Sequence, residues 1–212
     1  MDYFSTMHLN LSLEGYIFSS KMQSFNFDLW KKGSHNILFI TGLSGSGKTT
    51  LAEKMEKQYD ALMFELDGID YDYDSTNAGI LDELKQKSKV YAKIVETQSV
   101  SSTNQYNYSL EEFISIFNTL IEIMRSHKDK LFIVEGIQLM GLHKSFPFNE
   151  PTIIVGTSLL QSLYRRGKRT VEQGGKWTVM LKNEFLQLLA FYIDSEKKLS
   201  KFRKTIQSQS KL

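Results

Sequence analysis

From residue 36 onward, short continuous runs of apolar residues alternate with stretches whose apolar positions recur at helical spacing. Asn36 to Thr41 (NILFIT), Ala61 to Leu66 (ALMFEL), Leu131 to Glu135 (LFIVE) and Thr152 to Val155 (TIIV) have strand length. Strands that are apolar throughout are those covered on both faces. Between them the spacing predicts a helix over Thr49 to Gln58, with Leu51, Ala52 and Met55 on one face. It predicts others over Ile80 to Thr97 and over Leu110 to His127, the latter with Phe113, Ile114, Phe117, Leu120, Ile121 and Met124. A further helix starts at Leu159 to Arg165, Gly174 and Gly175 interrupt the pattern, and Val179 to Phe202 reads as a long C-terminal helix. Strand and helix in alternation predict an α/β fold: a doubly wound parallel sheet between helical layers, a three-layer sandwich.

The first 35 residues follow another pattern. Apolar and polar residues alternate at Met7 to Leu13 and again at Tyr16 to Phe18, with Gly15 between, which suits a small hairpin. We therefore expect an N-terminal extension over residues 1–35 packed on one domain over residues 36–212, a size that a single core can fill.

Composition narrows the picture only slightly. A hydrophobic share of 41% and a charged share of 24% are ordinary for a globular protein. A net charge of +2 gives no support for nucleic-acid binding. The chain has no cysteine, which excludes disulfides, thiol nucleophiles and Cys-ligated zinc, and its four histidines show no metal-ligand spacing. No apolar run approaches the ~20 residues of a membrane span. The expectation is a cytoplasmic protein with no membrane partner.

Chemistry enters at the end of the first strand. Gly42-Leu43-Ser44-Gly45-Ser46-Gly47-Lys48-Thr49 fits G-x-x-x-x-G-K-[ST] and stands between a predicted strand and a predicted helix that continues through Thr50. Glycines let the backbone wrap phosphate oxygens, and the positive helix end favours the anion. Lys48 adds a cation for the β- and γ-phosphates of a nucleoside triphosphate, ATP or GTP. The Thr49 hydroxyl is the expected Mg²⁺ ligand.

Acids close the next two strands. Leu66-Asp67-Gly68-Ile69-Asp70 follows the second strand, and Val134-Glu135-Gly136 ends the third. Open α/β sheets bind ligands at that edge. Asp67 is the candidate proton acceptor for an attacking hydroxyl, with Asp70 positioning the acceptor or a metal-bound water. Glu135 is the candidate for Mg²⁺ or the acceptor, and Gln138 could reach the same cleft. Asp67-Gly68 equally fits a plain turn, and Glu135 a structural acid.

Downstream, Arg165, Arg166, Lys168 and Arg169 crowd one helix before the glycine pair. Such a cluster suits a lid that cancels charge on transferring phosphates, although a solvated basic face has the same composition. Tyrosines at 71, 73, 91, 106 and 108 could stack on a planar acceptor or belong to the core.

These motifs resemble the small P-loop kinases, the group of adenylylsulfate, uridine, nucleoside monophosphate and zeta-toxin-like kinases. GLSGSGKTTL at Gly42 to Leu51 is similar to the adenylylsulfate kinase loop, and LDGID at Leu66 to Asp70 resembles that family's Leu-Asp-Gly-Asp segment. The resemblance implies a kinase using ATP and Mg²⁺, a base at Asp67 and lid arginines at Arg165, Arg166 and Arg169. One departure is that Tyr71 to Asp74 supplies no arginine where adenylylsulfate kinases carry one. Together these readings predict γ-phosphoryl transfer to a small-molecule hydroxyl. A nucleoside monophosphate kinase is one alternative, and a nucleotide-hydrolysing switch or ATPase subunit acting on a protein partner is another.

Overall fold

The computed structural model describes residues 16–18, 35–43, 45–66, 77–100, 109–142 and 150–172, with scattered positions between 174 and 204. The strands are β1 (Tyr16–Phe18), β2 (Ile37–Gly42), β3 (Leu62–Glu65), β4 (Phe132–Glu135) and β5 (Thr152–Val155). The helices are α1 (Lys48–Tyr59), α2 (Ala78–Lys87), α3 (Lys89–Val100), α4 (Leu110–Ser126), α5 (Leu139–Leu142) and α6 (Leu159–Glu172). The sheet order is β1-β5-β2-β4-β3. All pairings are parallel except that of β1 with β5.

Successive side chains of a strand face opposite ways, so each apolar strand serves two cores. Ile37 and Phe39 of β2 join Phe132 and Val134 of β4 beneath α2, α3 and α4. Leu38, Ile40 and Ile133 meet Leu51, Ala52 and Met55 of α1 on the other face. The result is the α/β three-layer arrangement that the apolar runs predict.

One detail differs from the pattern and a second adds to it. The helix expected over Ile80 to Thr97 is interrupted at Ser88, whose backbone is extended (φ −109°, ψ 105°). Ser88 N–H closes α2 on the Leu84 carbonyl at 2.8 Å, while its Oγ accepts from Tyr91 N–H at 3.2 Å. Serine favours such a cap over a helix interior. The apolar spacing runs on because both helices bury their residues in one core. Second, Tyr16–Phe18 extends the main sheet, in register with Val155 to Ile153 of β5. Residues 7–13, the other half of the expected hairpin, lie outside the described residues. Of the expected C-terminal helix, positions 189, 193–194, 197–202 and 204 are described as helical, and Leu199 and Phe202 are buried in the larger core.

Polar ties anchor the end of the sheet remote from the loop. Asn36 donates through Nδ2 to the Met124 and His127 carbonyls, at 2.6 and 3.1 Å, satisfying groups that the end of α4 leaves open. Arg125 grips Glu150 just before β5. Glu83 of α2 meets the His127 ring at 2.8 Å. That hydrogen bond, then the one from Lys87, holds the Glu83 carboxyl below its usual range. A lowered folded pKa means this tie stabilises at neutral pH and is lost as acid protonates the group. Among the described residues no helix is long and apolar enough to cross a membrane.

Candidate functional site

The site is built where β2 turns into α1. Gly45 (φ 77°) and Gly47 (φ 93°) hold left-handed backbone that other residues adopt at a cost. Ser46 N–H closes a turn on the Leu43 carbonyl at 3.0 Å, and Leu51 N–H starts the helix on the Gly47 carbonyl at 3.0 Å. No side-chain cap or first-turn acid occupies the start of α1 among the described residues. Its first amides therefore remain open to an anion. Ser46 is buried, and its Oγ has no hydrogen-bond partner among the described residues. Left-handed glycines, an uncapped helix start and an orphaned hydroxyl together fit a phosphate chain. Thr50 is exposed beyond the turn.

Directly beside β2 runs β4, with Ile40 in register with Glu135. That adjacency brings the strand-end acid to the loop. Thr49 Oγ1 donates to Glu135 Oε1 at 3.2 Å, and Lys48 Nζ lies 3.8 Å from Glu135 Oε2. Glu135 is 1% exposed and Lys48 8%. The Thr49 hydroxyl and the Glu135 carboxylate could hold Mg²⁺ or its waters, since Mg²⁺ takes few protein ligands and completes its shell with phosphate and water oxygens. Among the described residues no cluster of three His, Asp or Glu forms an all-protein metal site.

Glu135 is fixed from both sides. Thr41 Oγ1 donates to the Gly136 carbonyl at 2.8 Å in a buried bond. Leu66 N–H donates to the Glu135 carbonyl at 2.8 Å. A Cβ on Gly136 would stand 2.7 Å from Gln138 Oε1 and 2.8 Å from Leu66 Cβ, so only glycine lets the ends of β3 and β4 approach. Thr41→Val keeps the shape but leaves a buried carbonyl without its donor, at a cost of about 1–3 kcal/mol. A Tm lowered by several degrees in thermal melts is the expected result, and an unchanged Tm would show the clamp to be idle.

Asp67 is the next residue after Leu66. Asp67, Asp70 and Ser44 lie outside the described residues, as do Tyr71, Tyr73, Tyr106 and Tyr108. Tyr91 belongs to the core at 1% exposure.

The basic helix α6 approaches the loop from outside. A Cβ on Gly45 would meet Ser162 atoms at 3.0 to 3.3 Å. Arg165 Nη1 donates to the Gly45 and Ser46 carbonyls, each at 2.9 Å. Ser162, Arg165 and Arg169 share one helix face by their i, i+3, i+7 spacing, and Arg169 is exposed. The Arg166 side chain lies outside the described residues. Lys168 sits 3.8 Å from Glu172 in an exposed pair, so the solvated-face reading holds for that cation. Neither the Thr41 clamp nor the Ser162 contact is marked by a sequence motif, since each joins segments far apart in the chain.

Sheet, loop and flanking helices define a P-loop NTPase. A family model described as an AAA domain matches residues 31–189, most of the chain. The chain belongs to that family. A comparison with curated proteins returned no match.

Proposed function

We propose that the protein is a phosphotransferase moving the γ-phosphoryl group of ATP or GTP to a hydroxyl of a small molecule. The observation that carries this reading is the position of Glu135. It lies on the strand next to the loop strand, within reach of Lys48 and Thr49, and its carbonyl is bonded to the residue that precedes Asp67. Glu135 thus meets the loop from one strand end, for the metal side, and the sequence sets Asp67 directly after Leu66 at the neighbouring strand end, as the carboxylate for the acceptor side.

In this reading Lys48 and the loop amides hold the β- and γ-phosphates. Thr49 and Glu135 would hold Mg²⁺ or its waters, and the ion would supply charge neutralisation for the transfer. Asp67 takes the proton as the acceptor oxygen bonds to the γ-phosphorus, and the bond to the bridging oxygen breaks to leave the diphosphate. Asp70 orients the acceptor, and Arg166 and Arg169 of α6 neutralise the transferring group.

The hydroxyl preference rests on charge. Between Asp67 and Tyr108 the chain has no arginine, and its four lysines stand among Asp70, Asp72, Asp74, Asp82 and Glu83. Guanidinium forks are the usual grip on an acceptor phosphate, and this approach is acidic. The AAA-domain match favours a second reading, an ATPase whose hydrolysis acts on a protein partner.

Measuring diphosphate release with nucleosides, other small alcohols and nucleoside monophosphates separates the readings. Turnover that requires a hydroxyl acceptor is expected. Strong turnover with a monophosphate alone would overturn the hydroxyl claim, and steady hydrolysis indifferent to every acceptor would favour the ATPase.

A further inference from the structure

Arg165 stands 120 residues beyond Gly45, yet one nitrogen, Nη1, bonds two successive loop carbonyls at 2.9 Å. In a trans peptide the carbonyl and the N–H of one plane point in opposite directions. The Gly45 carbonyl therefore backs the Ser46 N–H, which is turned to Leu43, and the Ser46 carbonyl backs the Gly47 N–H at the start of α1. A guanidinium on the outer side of these planes draws electron density from the carbonyls. It thereby strengthens the donors on the inner side, as linked hydrogen bonds polarise one another. Its charge also lies close behind the amides that meet an anion. The Gly45–Ser162 contact holds the helix against the loop, so that the side chain has a short, fixed reach.

We infer that Arg165 is a positioning residue: it shapes and polarises the phosphate loop from behind, and so governs nucleotide affinity, not the transfer step. This inference rests on the P-loop reading and is independent of whether the enzyme is a kinase. It departs from the lid role that the sequence suggests for Arg165, and it leaves that role to Arg166 and Arg169. A residue acting through the loop touches whatever the loop binds, so diphosphate and triphosphate should suffer alike. A residue on the transferring group would spare the diphosphate.

The test measures ADP, ATP and inorganic pyrophosphate binding calorimetrically in the full chain, for the unchanged protein, Arg165→Ala, Arg165→Lys and Arg169→Ala. Arg165→Ala is expected to weaken ADP and ATP by a similar factor, roughly tenfold for the loss of two charge-assisted bonds. Pyrophosphate should weaken in step. Arg165→Lys should recover part of the loss by retaining the charge. Turnover at saturating nucleotide should change little, and the rise in Tm that ADP induces should shrink more than the Tm of the nucleotide-free protein. If Arg165→Ala fails to fold, Arg165→Lys still reports whether diphosphate and triphosphate lose affinity together. Unchanged ADP affinity with turnover lowered 10²-fold or more would overturn the inference and return Arg165 to the transferring group. Equal affinities in all variants would overturn it as well. Failure of the unchanged protein to bind any nucleotide would instead overturn the P-loop reading on which it stands.

Discussion

Lys48→Ala is expected to lower nucleotide turnover by about 10²–10³-fold or more, the scale on which removal of one preorganised charge donor is felt in a transition state. Lys48 is the first residue of α1, 8% exposed, and its Nζ stands between the loop and Glu135, 3.8 Å from Oε2. Nothing about that placement serves the core: the buried apolar face of α1 is Leu51, Ala52 and Met55, and alanine is a good helix former. The variant should therefore keep its far-ultraviolet dichroism. Triphosphate affinity should fall as well, because the lysine meets charge already present in the ground state. Steady-state rates and calorimetry on the folded variant check both effects. A folded Lys48→Ala protein with normal turnover would sink the nucleotide-dependent reading altogether.

How far the sequence anticipates this geometry follows from how local each determinant is. The loop is legible because its residues are contiguous and their flanks are a buried strand and a helix. The four parallel strands are legible because their apolar runs have strand length and are covered on both faces. Glu135 is legible as an acid at a strand end. Its contact with Thr49 depends on β4 lying beside β2, and strand order is a property of the whole sheet. Ser88 escapes periodicity because Leu84 and Tyr91, seven residues apart, keep the helical phase across the break. Three residues at Tyr16–Phe18 show alternation, but alternation carries no information about which edge they join. Arg165 is conspicuous in sequence as a cation, yet a basic helix face does not say what it touches. Its bonds to Gly45 and Ser46 depend on Ser162 bringing α6 against the loop.

The sharpest test of phosphoryl transfer is at Asp67. Asp67→Asn is expected to lower turnover about 10²–10⁴-fold, the range for loss of a general base, while nucleotide affinity changes little. Leu66 N–H is bonded to the Glu135 carbonyl at 2.8 Å, and Glu135 in turn meets Thr49 and Lys48, so Leu66 ends its strand beside the acid that faces the loop, and Asp67 follows Leu66 in the sequence. Asparagine has nearly the same shape and can still hydrogen-bond an acceptor hydroxyl. It cannot take that hydroxyl's proton. Loss confined to the rate, with acceptor and nucleotide still binding, is therefore the signature of a base, because only the transition state needs the proton moved. The three other outcomes have different meanings. A parallel loss of nucleotide binding with normal residual turnover would make Asp67 a metal or structural residue. A lowered Tm with restored activity at low temperature would make it a turn residue of the Asp67-Gly68 pair. Unchanged turnover on a monophosphate acceptor would remove the need for a base, since a phosphate oxygen is already ionised at neutral pH. Rates measured with a hydroxyl acceptor and with a monophosphate, on the same preparation, distinguish all of these.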